Sequence, residues 1–126
     1  EPGVVRPALC NTDRDKEFAD QLVAVVEKIY SQYNISIDEF AQMMGMGRTV
    51  FYKKLRGVTG YSPNKYLRVV RMKKAAGLLT HTELTVIEIS EKVGFATPSY
   101  FSKCFKAQFG VSPSAYQKGE RSDSKK

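Results

Sequence analysis

Apolar residues recur along most of the chain at the three- and four-residue spacing of amphipathic helices, and no stretch shows the strict alternation of a strand. We therefore predict an all-α fold. The first predicted helix begins near Asp13, ends near Asn34 and packs against the next two helices. Its apolar stripe consists of Phe18, Leu22, Val25, Val26, Ile29, Tyr30 and Tyr33.

Two shorter helices with a glycine turn between them are predicted next. Ser36 and Glu39 have the spacing of a capping box, in which each side chain accepts a hydrogen bond from the other residue's backbone N–H. This helix runs to Gly45, where glycine permits the left-handed backbone of a tight turn. The following helix directs Phe51 and Leu55 inward. The pattern predicts a helix, a four-residue turn and a second helix.

A longer helix is predicted from Ser62 and Pro63, because serine caps helices and proline is tolerated in the first turn. About 18 residues at 1.5 Å each would span roughly 27 Å, enough to hold two modules apart. We expect its inward positions to be Leu67, Met72, Ala75 and Leu79.

The pattern of the first two short helices then returns. Thr85 and Glu88 have the spacing of a second capping box, and Gly94 lies 49 positions after Gly45. Later matches lie 50 positions apart, so one residue is inserted in the second turn. They pair Leu55 with Phe105, Gly60 with Gly110, Ser62 and Pro63 with Ser112 and Pro113, and Tyr66 with Tyr116. Two copies are too few for a solenoid, so we infer two helix-turn-helix units, whose second helices would enter the DNA major groove.

Charge favours this interpretation over a helical hairpin that touches no nucleic acid. The chain has 20 Lys and Arg against 13 Asp and Glu, a formal net charge of +7, which points to a polyanionic partner. Residues 47–82 include nine basic residues and no acidic one, and residues 92–119 also lack acids. These stretches lie on and beside the second helix of each unit, as phosphate binding requires.

No other chemistry is indicated by the residue types. Cys10 and Cys104 lack CxxC spacing and His81 is the sole histidine, so we predict no metal site, disulfide framework or cofactor. Cys104 has no nearby group to activate it, and we expect this domain not to be an enzyme. No apolar run or signal peptide indicates membrane insertion or export, which predicts a cytoplasmic location.

Three segments resemble the AraC/XylS family of transcription activators. Residues 93–113, followed by Tyr116, look like the signature around that family's second reading helix. Residues 71–79 are similar to its linker helix and residues 59–63 to the end of its first reading helix. The likeness spans about residues 35–117. It implies regulation of transcription through double-stranded DNA, with RNA polymerase as a further partner.

A narrower resemblance is to the output domains of hybrid two-component regulators. It is carried by residues 44–49, residues 51–56 and the additional first helix. It implies an upstream receiver, sensor and histidine kinase in one chain, a membrane anchor and a homodimer at full length, and no membrane contact by this domain. The expected organisation is 1–12 linker from the upstream region, 13–60 first helix and first helix-turn-helix, 61–80 linker helix, 81–118 second helix-turn-helix and final helix, and 119–126 flexible tail.

The resemblance assigns DNA contacts in the first reading helix. Its base-reading positions correspond to Thr49, Tyr52 and Lys53. Lysine donates to guanine O6 or N7, a threonine methyl contacts a thymine methyl, and tyrosine offers its hydroxyl or ring edge. Arg48 and Arg56 are expected to bind phosphates, which set the register without reading sequence.

The second reading helix is expected to direct an equivalent set outward, with Phe101, Phe105 and Phe109 inward. Ser99 and Lys103 match base-reading positions. Pro98 stands where many relatives carry a polar side chain, and proline contributes only shape or apolar contact. The whole outward set is Thr97, Pro98, Ser99, Tyr100, Ser102, Lys103 and Lys106.

Two reading helices on one face of DNA are expected to enter successive major grooves about 34 Å apart. DNA sites would then contain two short boxes about one helical turn apart. The alternative is a non-catalytic basic scaffold or a membrane-surface module that uses the same positive charge. Its contact residues would be Lys65, Arg68, Arg71, Lys73 and Lys74.

Overall fold

The computed structural model describes residues 13–119, which form seven helices and contain no strand. The all-α prediction is therefore confirmed. The predicted linker, residues 1–12, and residues 120–126 of the predicted tail lie outside the described residues. The helices are α1 Asp13–Ile29, α2 Ile37–Met43, α3 Arg48–Thr59, α4 Pro63–His81, α5 Val86–Lys92, α6 Pro98–Phe109 and α7 Pro113–Gln117.

The described residues form two compact units whose boundary falls inside α4. The first unit comprises residues 13–30 and 34–70, and the second comprises residues 31–33 and 71–119. Helix α4 lies where the long helix was predicted from Ser62 and Pro63, and its residues are shared between the two units.

The first unit is built around the apolar face of α1 and the helix pair α2 and α3. The predicted capping box is formed: Ser36 Oγ accepts from the Glu39 N–H at 3.0 Å, and Glu39 Oε1 accepts from the Ser36 N–H at 2.9 Å. Gly45 then takes φ +72, which confirms the predicted turn. The buried core includes Phe18, Leu22, Val26, Ile29, Phe40, Phe51 and Leu55.

The predicted end of the first helix is wrong by several residues. Helix α1 stops at Ile29, and Tyr33, placed in its apolar stripe, is 64% exposed. Residues 31–33 belong to the second unit, where the Gln32 carbonyl accepts a hydrogen bond from Arg71 Nη2 at 2.8 Å. That carbonyl is satisfied by a distant side chain instead of a continued helical ladder.

The second unit repeats the helix pair with the predicted one-residue insertion. Residues 44–47 join α2 to α3, whereas residues 93–97 join α5 to α6. Thr85 and Glu88 form the second capping box, and Gly94 takes φ +87. Phe101 and Phe105 are buried as predicted, but Phe109 is only partly buried. The inward prediction for α6 is therefore confirmed at two of its three positions.

Candidate nucleic-acid interface

Helix α3 has one buried face and one exposed face. Phe51, Leu55, Val58 and Thr59 are buried, and this spacing fixes the helix to the core along a single stripe. The five candidate residues lie on the remaining surface and are all exposed, with Tyr52 exposed by 41%. These residues are Arg48, Thr49, Tyr52, Lys53 and Arg56.

Arg48, expected to bind phosphate, lies in the first turn of α3. Its Nη1 is 3.8 Å from Asp38 Oδ1, and the two side chains are 65% and 70% exposed. An ion pair this exposed contributes little stability and is screened by salt. The guanidinium can therefore exchange Asp38 for a phosphate at low cost.

Lys54 follows the predicted contact Lys53 but points to a different partner. Its ammonium donates to Asp15 of α1, and it lies 5.9 Å from the centroid of the Phe18 ring. The Phe18 ring also packs 6.4 Å from the Phe51 ring, centroid to centroid. These contacts hold the reading helix α3 against α1, and we call them the brace. Lys54 is part of the brace.

Helix α6 has a stronger N-terminal cap than α3. Thr97 Oγ1 accepts from the Tyr100 N–H at 3.2 Å, and Pro98 occupies the first turn. At the corresponding cap of α3, Gly47 makes no side-chain hydrogen bond. Thr97 therefore has a structural task in addition to any contact with DNA.

The outward set of α6 is largely placed as predicted. Thr97, Pro98, Ser99, Tyr100, Lys103 and Lys106 are exposed. Ser102 is partly buried and is therefore less exposed than the other members of the outward set. It lies next to the buried Phe101 along the helix, at the edge between the core face and the exposed face.

Tyr100 combines exposure with a packing contact. Its side chain is 51% exposed, and its ring centroid lies 5.6 Å from that of the buried Phe95. Phe95 in turn lies 5.4 Å from Phe101 in an edge-to-face arrangement. The hydroxyl end of Tyr100 is thus presented from a ring that the turn before α6 holds in place.

Arg71 is less accessible than the basic surface proposed for a scaffold or a membrane would require. It is partly buried, donates to the Gln32 carbonyl and lies 6.0 Å from the Phe95 centroid. Burial lowers the pKa of its guanidinium from the ordinary value. Of the other four residues in that set, Lys65 and Lys73 are exposed, whereas Arg68 and Lys74 are partly buried.

Val50 is an exposed residue of α3 that lies outside the predicted contact set. Its side chain is 61% exposed and adjoins Thr49 and Lys53 in the reading helix. The signal was available, because Val50 falls outside the inward spacing of Phe51 and Leu55. An apolar side chain at this position can contact a thymine methyl.

Other kinds of site find little support in the part of the chain that the structure describes. No helix within residues 13–119 is long and apolar enough to span a membrane. Among the same residues no group of three or more His, Cys, Asp or Glu side chains is placed to hold a metal ion. Cys104 is a partly buried free thiol in α6.

Known proteins are similar to this chain in both sequence and fold. A family model described as a helix-turn-helix domain matches residues 40–119. Histidine kinase P4 of Formosa agariphila is 34% identical over 103 residues, which make up 82% of this chain and 8% of that protein. The chain spans only about a third of the next two curated relatives, 33% and 34% of their lengths.

Two solved structures are similar to this chain in fold. The C-terminal domain of AraT, a response regulator from Geobacillus stearothermophilus, is 30% identical, with a TM-score of 0.73 and coverage of 86% of each chain. The DNA-binding domain of AdpA, a global transcriptional factor solved with a target DNA, is 26% identical, with a TM-score of 0.75 and coverage of 81% of this chain and 90% of that one. The chain belongs to the AraC/XylS family of transcription regulators, and its described residues correspond to the helix-turn-helix domain of that family.

Proposed function

We propose that α3 and α6 read two short boxes in successive major grooves and that the domain is the output of a phosphorelay. The observation that carries the DNA-reading proposal is the register of the exposed basic residues. Lys53 and Arg56 of α3 match Lys103 and Lys106 of α6 at an offset of 50, and all four are exposed. Each reading helix therefore offers one cation for bases and one, a turn further on, for a phosphate.

The roles proposed for single residues are those that the family resemblance implies, and their exposure supports them. In α3, Lys53, Thr49 and Tyr52 contact bases, while Arg48 and Arg56 contact phosphates. In α6, Ser99 and Lys103 contact bases and Lys106 a phosphate. Thr97, Pro98, Tyr100 and Ser102 shape the surface around them.

The test of sequence reading is selection of bound duplexes from a random DNA pool at about 0.15 M salt, where phosphate attraction alone is weakened. The proposal predicts two enriched boxes whose centres lie about 10 base pairs apart. Binding without an enriched pattern would contradict it. A parallel titration with anionic vesicles tests the membrane-surface alternative, which requires tighter binding to vesicles than to duplex DNA at equal salt.

The phosphorelay proposal has two supports. The relative from Formosa agariphila carries the matching segment within a protein named as a histidine kinase, and AraT is named as a response regulator. We propose upstream receiver and sensor domains, a homodimer at full length, RNA polymerase as a partner, and a cytoplasmic position for this domain. In the full-length protein, phosphorylation of the receiver is expected to raise affinity for a tandem site, and unchanged affinity would contradict the proposal.

A further inference from the structure

Arg71 makes two contacts within the second unit that differ from those of a surface cation. Its Nη2 donates to the Gln32 carbonyl at 2.8 Å, and its guanidinium carbon lies 6.0 Å from the centroid of the Phe95 ring. A planar guanidinium can stack on a ring and donate in its own plane at the same time, which a lysine ammonium cannot do. The pair of contacts therefore depends on arginine as such, and not only on positive charge.

Phe95 transmits this arrangement to the second reading helix. It lies in the turn between α5 and α6, is 6% exposed, and has ring contacts with Phe101 at 5.4 Å and Tyr100 at 5.6 Å between centroids. Phe101 is the buried anchor of the first turn of α6, and Tyr100 is exposed beside Ser99. The orientation of the Phe95 ring thus sets where the exposed start of α6 lies.

The first unit has no aromatic ring at this place. At the offset of 49 that relates the two glycine turns, Phe95 corresponds to Met46, and at the offset of 50 Tyr100 corresponds to Val50. The series of contacts from Arg71 through Phe95 to the second reading helix therefore has no counterpart in the first helix-turn-helix unit.

We propose that Arg71 is a positioning residue for the second reading helix, which fixes the Phe95 ring and through it Tyr100 and the first turn of α6. The proposal rests on the proposed function, in which α6 reads the second box. It goes further by placing a determinant of second-box specificity on α4, in a residue that the basic pattern of the sequence groups with phosphate or membrane contacts.

The test compares Arg71→Lys, which keeps the charge, with Lys73→Gln, which removes an exposed charge from the same helix. Each variant is titrated with three duplexes: the intact site, the site with its first box scrambled, and the site with its second box scrambled. Because a lysine ammonium cannot keep both contacts of Arg71, we expect about tenfold weaker binding of Arg71→Lys to the intact site. Its binding to the duplex with a scrambled second box is expected to match that of the wild type.

Lys73→Gln is expected to change binding to all three duplexes by the same factor, because an exposed charge attracts phosphates without distinguishing sequences. Uniform weakening of all three duplexes in Arg71→Lys, or unchanged binding of that variant to the intact site, would overturn the proposal. Phe95→Leu should reproduce the second-box defect, and adding Arg71→Lys to it should cause no further loss. A fully additive double variant would contradict the proposed series of contacts.

A second variant covers the case in which Arg71→Lys does not fold. Tyr100→Ala truncates an exposed side chain and leaves the buried ring of Phe101 in place; it should also weaken binding only where the second box is intact. Retention of full second-box preference by Tyr100→Ala would overturn the inference. If wild-type binding is insensitive to scrambling of the second box, the proposed function itself fails, so the two failures are distinguishable.

Discussion

The two helix-turn-helix units have the same helix lengths but hold their reading helices differently. In the first unit, α1 adds a brace: Phe18 packs on Phe51, and Asp15 binds Lys54. In the second unit, aromatic rings follow one another from Phe95 through Phe101, Phe105 and Phe109 to Tyr116. The repeated pattern of turn and inward residues is therefore compatible with two ways of anchoring a reading helix.

The exposed faces differ in chemistry as well. Helix α3 presents Arg48, Thr49, Tyr52, Lys53 and Arg56, whereas at the matching positions α6 presents Pro98, Ser99, Lys103 and Lys106 and has Ser102 partly buried. Helix α3 thus offers more cations and larger polar groups than α6. We expect the first box to contribute more of the sequence preference than the second.

The largest effects are expected from the matched core residues Phe51 and Phe101, both fully buried. Replacement of either by alanine should lower the free energy of unfolding by about 3–5 kcal/mol, because burial is lost and a cavity remains. Denaturant unfolding followed by circular dichroism measures both losses. A cost below about 1 kcal/mol for Phe101→Ala would show that the aromatic row does not anchor α6 as the core anchors α3.

Two adjacent lysines of α3 provide a sharper contrast. Lys54→Met should lower unfolding free energy by about 1–2 kcal/mol, because Asp15, whose side chain is 17% exposed, loses its ion-pair partner. Lys53→Met should leave stability within about 0.5 kcal/mol and weaken DNA binding instead. Paired unfolding and DNA titrations measure this, and the reverse result would refute the assignment of Lys54 to the brace.

The caps of the two reading helices should differ in the cost of substitution. Thr97→Ala removes the acceptor for the Tyr100 N–H and is expected to cost about 1 kcal/mol of stability. Gly47→Ser supplies the acceptor that α3 lacks and should raise stability by a few tenths of a kcal/mol. Thermal unfolding measures the melting temperature of each variant. Thr97→Ala should melt below the wild type and Gly47→Ser above it, and equal melting temperatures of the two variants would contradict the difference between the caps.

The last contrast concerns a glycine inside α3. A Cβ added at Gly57 meets no heavy atom within 4 Å, so Gly57→Ala should stabilise the domain by about 0.5–1 kcal/mol through lower unfolded-state entropy. Ala107 occupies the matching position of α6, and Ala107→Gly should destabilise by a similar amount. Opposite shifts in melting temperature are the expected readout; shifts of the same sign would contradict it.

Local signals in the sequence were sufficient for most of the fold. The two capping boxes, the left-handed glycines and the one-residue insertion each depend on neighbours within one turn, and all are present. Contacts between residues far apart in the sequence could not be predicted from such local signals. Helix α1 ends at Ile29, and Arg71 is partly buried instead of exposed with the other basic residues. Both outcomes involve the hydrogen bond between Arg71 and the Gln32 carbonyl, 39 positions apart.

The candidate site shows the same division. Helical periodicity was enough to place Thr49, Lys53 and Lys103 on exposed faces. Periodicity could not distinguish Lys53 from Lys54, because the partner of Lys54 lies in α1. The roles of the exposed residues in reading bases stay predictions.

The central claim is that each reading helix reads its own box. Its most direct test repeats the duplex selection with Lys53→Ala and Lys103→Ala, the matched lysines of α3 and α6. Each variant should erase the preference at one box and retain the other, with the larger loss of affinity in Lys53→Ala. Uniform weakening at every position in both variants would show that these lysines bind phosphates only, and would contradict the account.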